Sequence, residues 1–157
     1  MDAKLVRGFT LVELIVVILL LAIISAYAAS RFTGRDSIAA QVLQQQVISV
    51  VRQVQLNRMH SNVDLSAASA TNNFTLSVSS NCVGSQAACI SRSESRSDWV
   101  NSDNVSFSSP SSPIQFDLLG NPLGSAASGT VITVSSTNQD CLVNINSQGY
   151  VFPGGCS

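Results

Sequence analysis

Charge and histidine are scarce in this chain of 157 residues. Charged residues make up 11%, against roughly 25% in an average soluble protein. Lys4 is the only lysine. The formal net charge is −1, so a nucleic-acid partner held by bulk electrostatics is not expected. His60 is the single histidine, which excludes a multi-histidine metal site. A histidine-based catalytic triad would have to use His60, and no Ser/Asp arrangement can be placed around it from the sequence. No metal, cofactor or enzymatic activity is therefore expected. Aromatic residues are few, at 6%, with Trp99 the only tryptophan; packing on a sheet or loop is its expected role. One length of chain this size makes a single ordinary domain rather than two.

What is abundant is unevenly placed. Serine occurs 27 times, mostly beyond residue 60. The four cysteines all follow residue 80, and so many in a small domain suggest disulfides and an oxidising compartment. Residues 14–30 carry no charge. The run 9–29 would span roughly 30 Å as a helix, about one bilayer core. Two readings fit that run. One is a retained membrane helix. The other is an ordinary signal peptide, with Lys4 and Arg7 before the apolar stretch and Ala26-Tyr27-Ala28 as its cleavage site.

Glu13 favours the first reading. A carboxylate near the start of an apolar helix costs on the order of a few kcal/mol if deep and unpaired, so it is expected to have a partner. If the chain is cut after Gly8, Phe9 presents a free amine and Glu13 lies one helical turn below it. The amine can pair with its own Glu13 or with that of a neighbour. The second pairing supplies a rule for stacking helices. Arg-Gly-Phe-Thr-Leu-Val-Glu-Leu, residues 7–14, resembles the processing signal of type IV pilins and type II secretion pseudopilins, with Gly8, Phe9, Thr10 and Glu13 matching residue by residue. The resemblance implies a prepilin peptidase that cuts between Gly8 and Phe9 and methylates Phe9, with Glu13 and Thr10 serving assembly. The positive-inside count is tied, Lys4 and Arg7 against Arg31 and Arg35. The resemblance breaks the tie, placing residues 1–8 in the cytoplasm as a leader and the rest in the periplasm.

The expected organisation is a leader at 1–8, a membrane and filament-core helix at 9–33, and a periplasmic globular domain at 34–157. Leu43, Val47, Val50 and Val54 recur at helical spacing and predict a helix over 36–59 that lays one stripe on a sheet. Gly34 is a candidate kink and Asp36 a candidate cap. Beyond Asn62, strands are expected at 74–79, 104–108, 113–118, 130–135, 141–146 and 149–152, with 80–98 irregular. Arg92 and Arg96, offset by Glu94 and Asp98, read as a solvated loop. The fold class is α+β: a long N-terminal helix, its apolar half transmembrane, packed on an antiparallel sheet, as in the type IV pilin fold.

Phe116-Asp-Leu-Leu-Gly-Asn-Pro122 resembles the F-x-x-x-G-x-P signature of the pseudopilin H and FimT-like group, and Val143–Val151 its closing hairpin. Gly120 would allow a turn before Pro122. With the C-terminal cysteine pair added, the whole resembles the minor pilins of the mannose-sensitive haemagglutinin (MSHA) pilus, the MshC type. The implied partners are other pilin subunits, the prepilin peptidase and the inner-membrane assembly platform. The implied location is the inner membrane and then a filament. A type II secretion pseudopilin, a pilus-tip adhesin or DNA receptor, and a secreted serine-rich protein are the rival readings. Four cysteines allow three pairings. Short separation favours Cys82–Cys89, and hairpin geometry about residues 147–149 favours Cys141–Cys156, with Pro153-Gly-Gly155 as a free tail reaching back.

Overall fold

The apolar run between Thr10 and Ser30 contains neither glycine nor proline, and it coils without interruption. In the computed structural model, which describes residues 10–32, 35–63 and 71–157, it forms helix α1, Leu11–Phe32. The expected kink at Gly34 lies outside the described residues. The chain divides into two units, Met1–Arg35 and Asp36–Ser157.

All but the first residue of helix α2, Arg35–Met59, belongs to the second unit, and Asp36 falls inside the helix rather than before it. Ala40, Val47, Val51 and Val54 are fully buried along one stripe of α2, at the spacing a one-sided helix requires. Ordered strands follow as β1 (Thr75–Ser79), β2 (Cys82–Ser85), a short helix α3 (Gln86–Ser91), β3 (Trp99–Asn101), β4 (Ser106–Ser108), β5 (Ile114–Gln115), β6 (Thr130–Ser135), β7 (Asp140–Ile145) and β8 (Val151–Cys156).

These strands make two antiparallel sheets, not the one expected. The first has the order β3-β2-β1-β5 and the second β4-β6-β7-β8. The core joins the α2 stripe to Leu76, Val83 and Ile114 of the first sheet and to Ile132, Val134, Val143 and Ile145 of the second. In β6 and β7 alternate residues are buried, the period-two pattern that makes such strands readable.

Segment 80–98 is where the structure departs furthest from the sequence reading. It holds β2 and α3 instead of irregular chain. All four residues of β2 are buried, and a strand buried on both faces does not alternate. Gly84 is required there, because a Cβ would come within 2.5 Å of both the Asp98 carbonyl oxygen and Trp99 Cβ. Ser85 then ends the strand and caps α3, its Oγ accepting from Ala88 N at 3.2 Å. The tail also differs. Pro153-Gly-Gly155 lies within strand β8, with Cys156 directly opposite Cys141. Proline is tolerated because β8 is an edge strand. Gly154 is needed because a Cβ would approach Leu142 Cβ to 2.7 Å. The connecting turn spans Asn146–Gly149, closed by Gly149 N to Asn146 O at 3.0 Å. The expected strand 113–118 shortens to Ile114–Gln115; Phe116 makes one isolated antiparallel bridge to Pro122, and the turn lies between them.

Candidate functional site

Helix α1 sets up the first candidate site. Its window Leu11–Ala28 has a mean hydropathy of 2.7 and is long and apolar enough to cross a membrane. Side chains from Thr10 to Tyr27 are all exposed within this chain, so the helix carries an apolar surface that requires lipid or other helices around it. Ser25 hides its hydroxyl by donating to Leu21 O at 2.7 Å, the usual way a helix carries serine in apolar surroundings.

The start of α1 is built by Thr10 and Glu13. Thr10 Oγ1 accepts from Glu13 N at 3.3 Å, and Thr10 O accepts from Leu14 N at 3.3 Å. Thr10 is therefore the cap of α1, in the T-x-x-E spacing of a capping box. That signal was readable in the sequence, where Thr10 was singled out only as part of the processing motif. Glu13 stands in the first turn of the helix, where the exposed amides favour a negative charge. Among the described residues its carboxylate has no partner. Gly8 and Phe9 lie outside the described residues.

Residues 4–29 match the family model of the prokaryotic N-terminal methylation motif. The motif is typical of type IV pilins and pseudopilins. The match supports a type IV pilin-like or pseudopilin-like protein. The one long apolar helix among the described residues is consistent with membrane anchoring of a pilin, and the helix-plus-antiparallel-sheet architecture with the type IV pilin fold. No curated protein and no solved structure matches the chain. The match ends at residue 29, before the globular unit begins.

Helix α2 fastens that unit through side chains that donate to backbone carbonyls. Gln44 Nε2 reaches Leu142 O at 2.6 Å and Gly154 O at 3.1 Å. Arg52 Nη2 reaches Val151 O at 2.7 Å. Gln55 Nε2 reaches Gly120 O at 3.0 Å and Gly149 O at 2.8 Å. Arg58, only 5% exposed, donates to Phe116 O at 3.2 Å, Val63 O at 2.8 Å and Ser61 Oγ at 2.9 Å. A buried guanidinium needs such acceptors. From sequence, glutamine and arginine mark a solvent face. Here Gln44, Gln55 and Arg58 face inward; Gln44 and Arg58 fall in the helical register of Ala40, Val47, Val51 and Val54, so their spacing sets them on the buried stripe although their residue type does not.

The F-x-x-x-G-x-P stretch is a turn held from inside by Asp117. Its Oδ1 accepts from Leu119 N and Asn121 N, both at 2.8 Å, and Oδ2 accepts from Asn121 Nδ2 at 2.9 Å. Burial pushes the Asp117 carboxyl up, but these donors outweigh it and hold its pKa below the ordinary value. Gly120 has φ of 86°, the left-handed conformation expected of it. The turn and the β7–β8 connection meet at α2, where a groove of about 230 Å³ lies between Leu56, Met59 and Leu119, with Arg52 and Gln148 beside it.

The arginine-rich loop is more ordered than a solvated loop. Arg96 forms a two-point ion pair with Asp98, Nε to Oδ1 at 3.0 Å and Nη2 to Oδ2 at 2.7 Å. It also donates to Asn73 Oδ1 and Ser85 Oγ, each at 3.1 Å. Burial pushes Asp98 up, but hydrogen bonds from Arg96 and Ser85 and the guanidinium charge prevail, and its pKa is lowered. Arg92 caps the end of α3 with φ of 48° and donates to Asn81 Oδ1 at 3.3 Å. Trp99 sits in edge strand β3, its Nε1 donating to Ser93 O at 3.2 Å. His60 is exposed just past α2. Two disulfides are present, Cys82–Cys89 with Cα atoms 6.0 Å apart and Cys141–Cys156 at 4.1 Å.

Proposed function

We propose that this chain is a minor pilin, a non-enzymatic structural subunit of an MSHA-type type IV pilus that acts in the initiating or tip complex. The methylation motif over residues 4–29 carries the reading. In this proposal a prepilin peptidase removes residues 1–8 and methylates Phe9. Residues 9–33 are first an inner-membrane anchor with the globular domain 34–157 in the periplasm, and then part of a filament core. The physical logic is an exchange of environments. Extraction of an apolar helix from lipid is unfavourable unless other apolar helices replace the lipid. Glu13 gives the exchange a direction, because its buried carboxylate is satisfied only by a correctly placed amine, its own or a neighbour's. Thr10 holds the turn that presents it.

The F-x-x-x-G-x-P turn, the closing hairpin and the C-terminal cysteine pair support the narrower MSHA assignment. N-terminal sequencing of the mature protein tests the processing. A start at Phe9 with a methylated amine is expected; a start at Ala29 would identify an ordinary signal peptide and remove the pilin reading. A type II secretion pseudopilin shares the same motif. Affinity purification of the full-length protein from membranes separates the two, since pilus subunits or secretion pseudopilins will accompany it.

A further inference from the structure

The groove at the end of α2 is mostly apolar, yet one cation overlooks it. Arg52 is the only ionised residue among those lining it. One Nη is engaged by the Val151 carbonyl, but no carboxylate faces the guanidinium; Arg96–Asp98 is the only ion pair among the described residues. Leu56 and Leu119, on either side, are exposed, the latter to 76%. An occupant that fits must offer an aliphatic side chain with a carboxylate close by.

The globular unit itself carries a corner with an exposed aliphatic residue and, four positions on, an exposed acid. Ile90, at the end of α3, is 71% exposed. Glu94, four positions on, is exposed and has no hydrogen bond or ion pair among the described residues. The other exposed aliphatic pair next to an acid, Leu118 and Leu119, follows Asp117, whose two oxygens are already taken by its own turn. The corner is held rigidly. Cys89 ties α3 to β2, and Ala88 buries its inner face. Arg92 in its left-handed cap turns the chain between Ile90 and Glu94.

We propose that the groove receives the Ile90–Glu94 corner of a second copy of this chain, with Ile90 set between Leu56 and Leu119 and Glu94 paired with Arg52. Corner and groove are different surfaces, one on the first sheet and one at the end of α2. The contact is therefore heterologous, joining two different surfaces rather than one self-complementary patch about a two-fold axis. The inference rests on the pilin reading only for its setting, an array of subunits anchored side by side.

The test uses full-length protein in bacterial membranes, with the photo-cross-linking residue p-benzoylphenylalanine at position 119. The expected product is a dimer of this chain whose cross-linked peptide contains residues 86–94. Arg52→Glu or Glu94→Arg alone lowers the yield roughly two- to fivefold, as loss of an exposed ion pair should. The two together restore it, which a merely misfolded protein would not do. Ile90→Glu lowers the yield about tenfold or more. Cross-linking to a different pilin, to another part of the chain, or at a yield indifferent to the charge exchange would overturn the proposal. The mature N-terminus is determined on the same sample. A Phe9 start without this cross-link rejects the contact and leaves the pilin reading standing, while an Ala29 start rejects the pilin reading whatever the cross-link shows.

Discussion

The carbonyl oxygen of Gly120 occupies the place where a β-carbon on Gly149 would stand. Two turns far apart in sequence are thereby pressed backbone to backbone, and Gln55 donates to both of their carbonyls. Gly149→Ala should be costly for two reasons: its φ of 76° disfavours a side chain, and the Gly120 carbonyl must move. Gly124→Ala is the control, since Gly124 has φ of 63° but nothing within 4 Å of an added β-carbon. Thermal unfolding in detergent should show a loss of about 1–2 kcal/mol for the control and clearly more for Gly149→Ala. Equal losses would mean that the two turns separate easily.

Removing the shared donor asks the complementary question. Gln55→Leu leaves two carbonyls without their donor, a cost of about 1–3 kcal/mol each if water does not replace it. Because Gln55 is only 7% exposed, replacement by water should be poor. A stability within about 0.5 kcal/mol of the parent, the range of an ordinary surface change, would show that water enters.

Thr10 and Glu13 should separate by phenotype. Thr10→Ala removes a cap worth about 1 kcal/mol, and Thr10→Ser should retain it. Glu13→Ala removes a charge that lipid disfavours, so membrane insertion should be unharmed while incorporation into filaments falls. Quantifying membrane-bound and filament-bound protein checks both. Normal incorporation of the alanine variant would show that apolar packing alone suffices.

Acid should loosen the Arg96–Asp98 loop. The Asp98 pKa is lower folded than unfolded. Its contribution to stability is therefore complete above the unfolded value near 4 and disappears as pH falls through the folded value. Asp98→Asn should destabilise the protein at neutral pH and flatten the acid limb of stability against pH. An acid limb as steep as the parent's would place the titration elsewhere.

The two disulfides should differ in weight. Chain entropy assigns roughly 2–3 kcal/mol to each loop, somewhat more to the longer. Cys141–Cys156 spans 15 residues and Cys82–Cys89 spans 7. Replacing the C-terminal pair by serine should therefore lower the melting temperature more. Non-reducing peptide mapping verifies the connectivity, and a peptide joining the two halves would contradict it.

Much of the fold was legible because it obeys simple periods. Val47 and Val54 announce α2, and Ile132, Val134, Val143 and Ile145 announce β6 and β7. Strand β2 was not legible, because Cys-Val-Gly-Ser is buried on both faces and its Gly84 serves a close approach that only the folded partner reveals. What Gln44, Gln55 and Arg58 bond was hidden for a related reason, although the helical register of Gln44 and Arg58 already sets them on the buried stripe. Their acceptors are carbonyls of turns and a distant hairpin, and a chain read locally cannot say where those will lie. The methylation motif was the reverse case, written in consecutive residues and legible without knowledge of the fold.

Strand β8 bears on how such subunits tolerate crowding. The bond from Asn146 N to Tyr150 O sets the alternation along the β7–β8 pair, and with Val151 opposite Ile145 and Pro153 opposite Val143, both face away from β7. Pro153 has no amide hydrogen to offer there, and the Val151 carbonyl is already bonded to Arg52. A neighbouring chain arriving at this border finds the Val151 acceptor taken and the Pro153 donor missing. Edge-to-edge pairing of this sheet with another copy, the route by which exposed strands turn to aggregates, is weakened at those two positions.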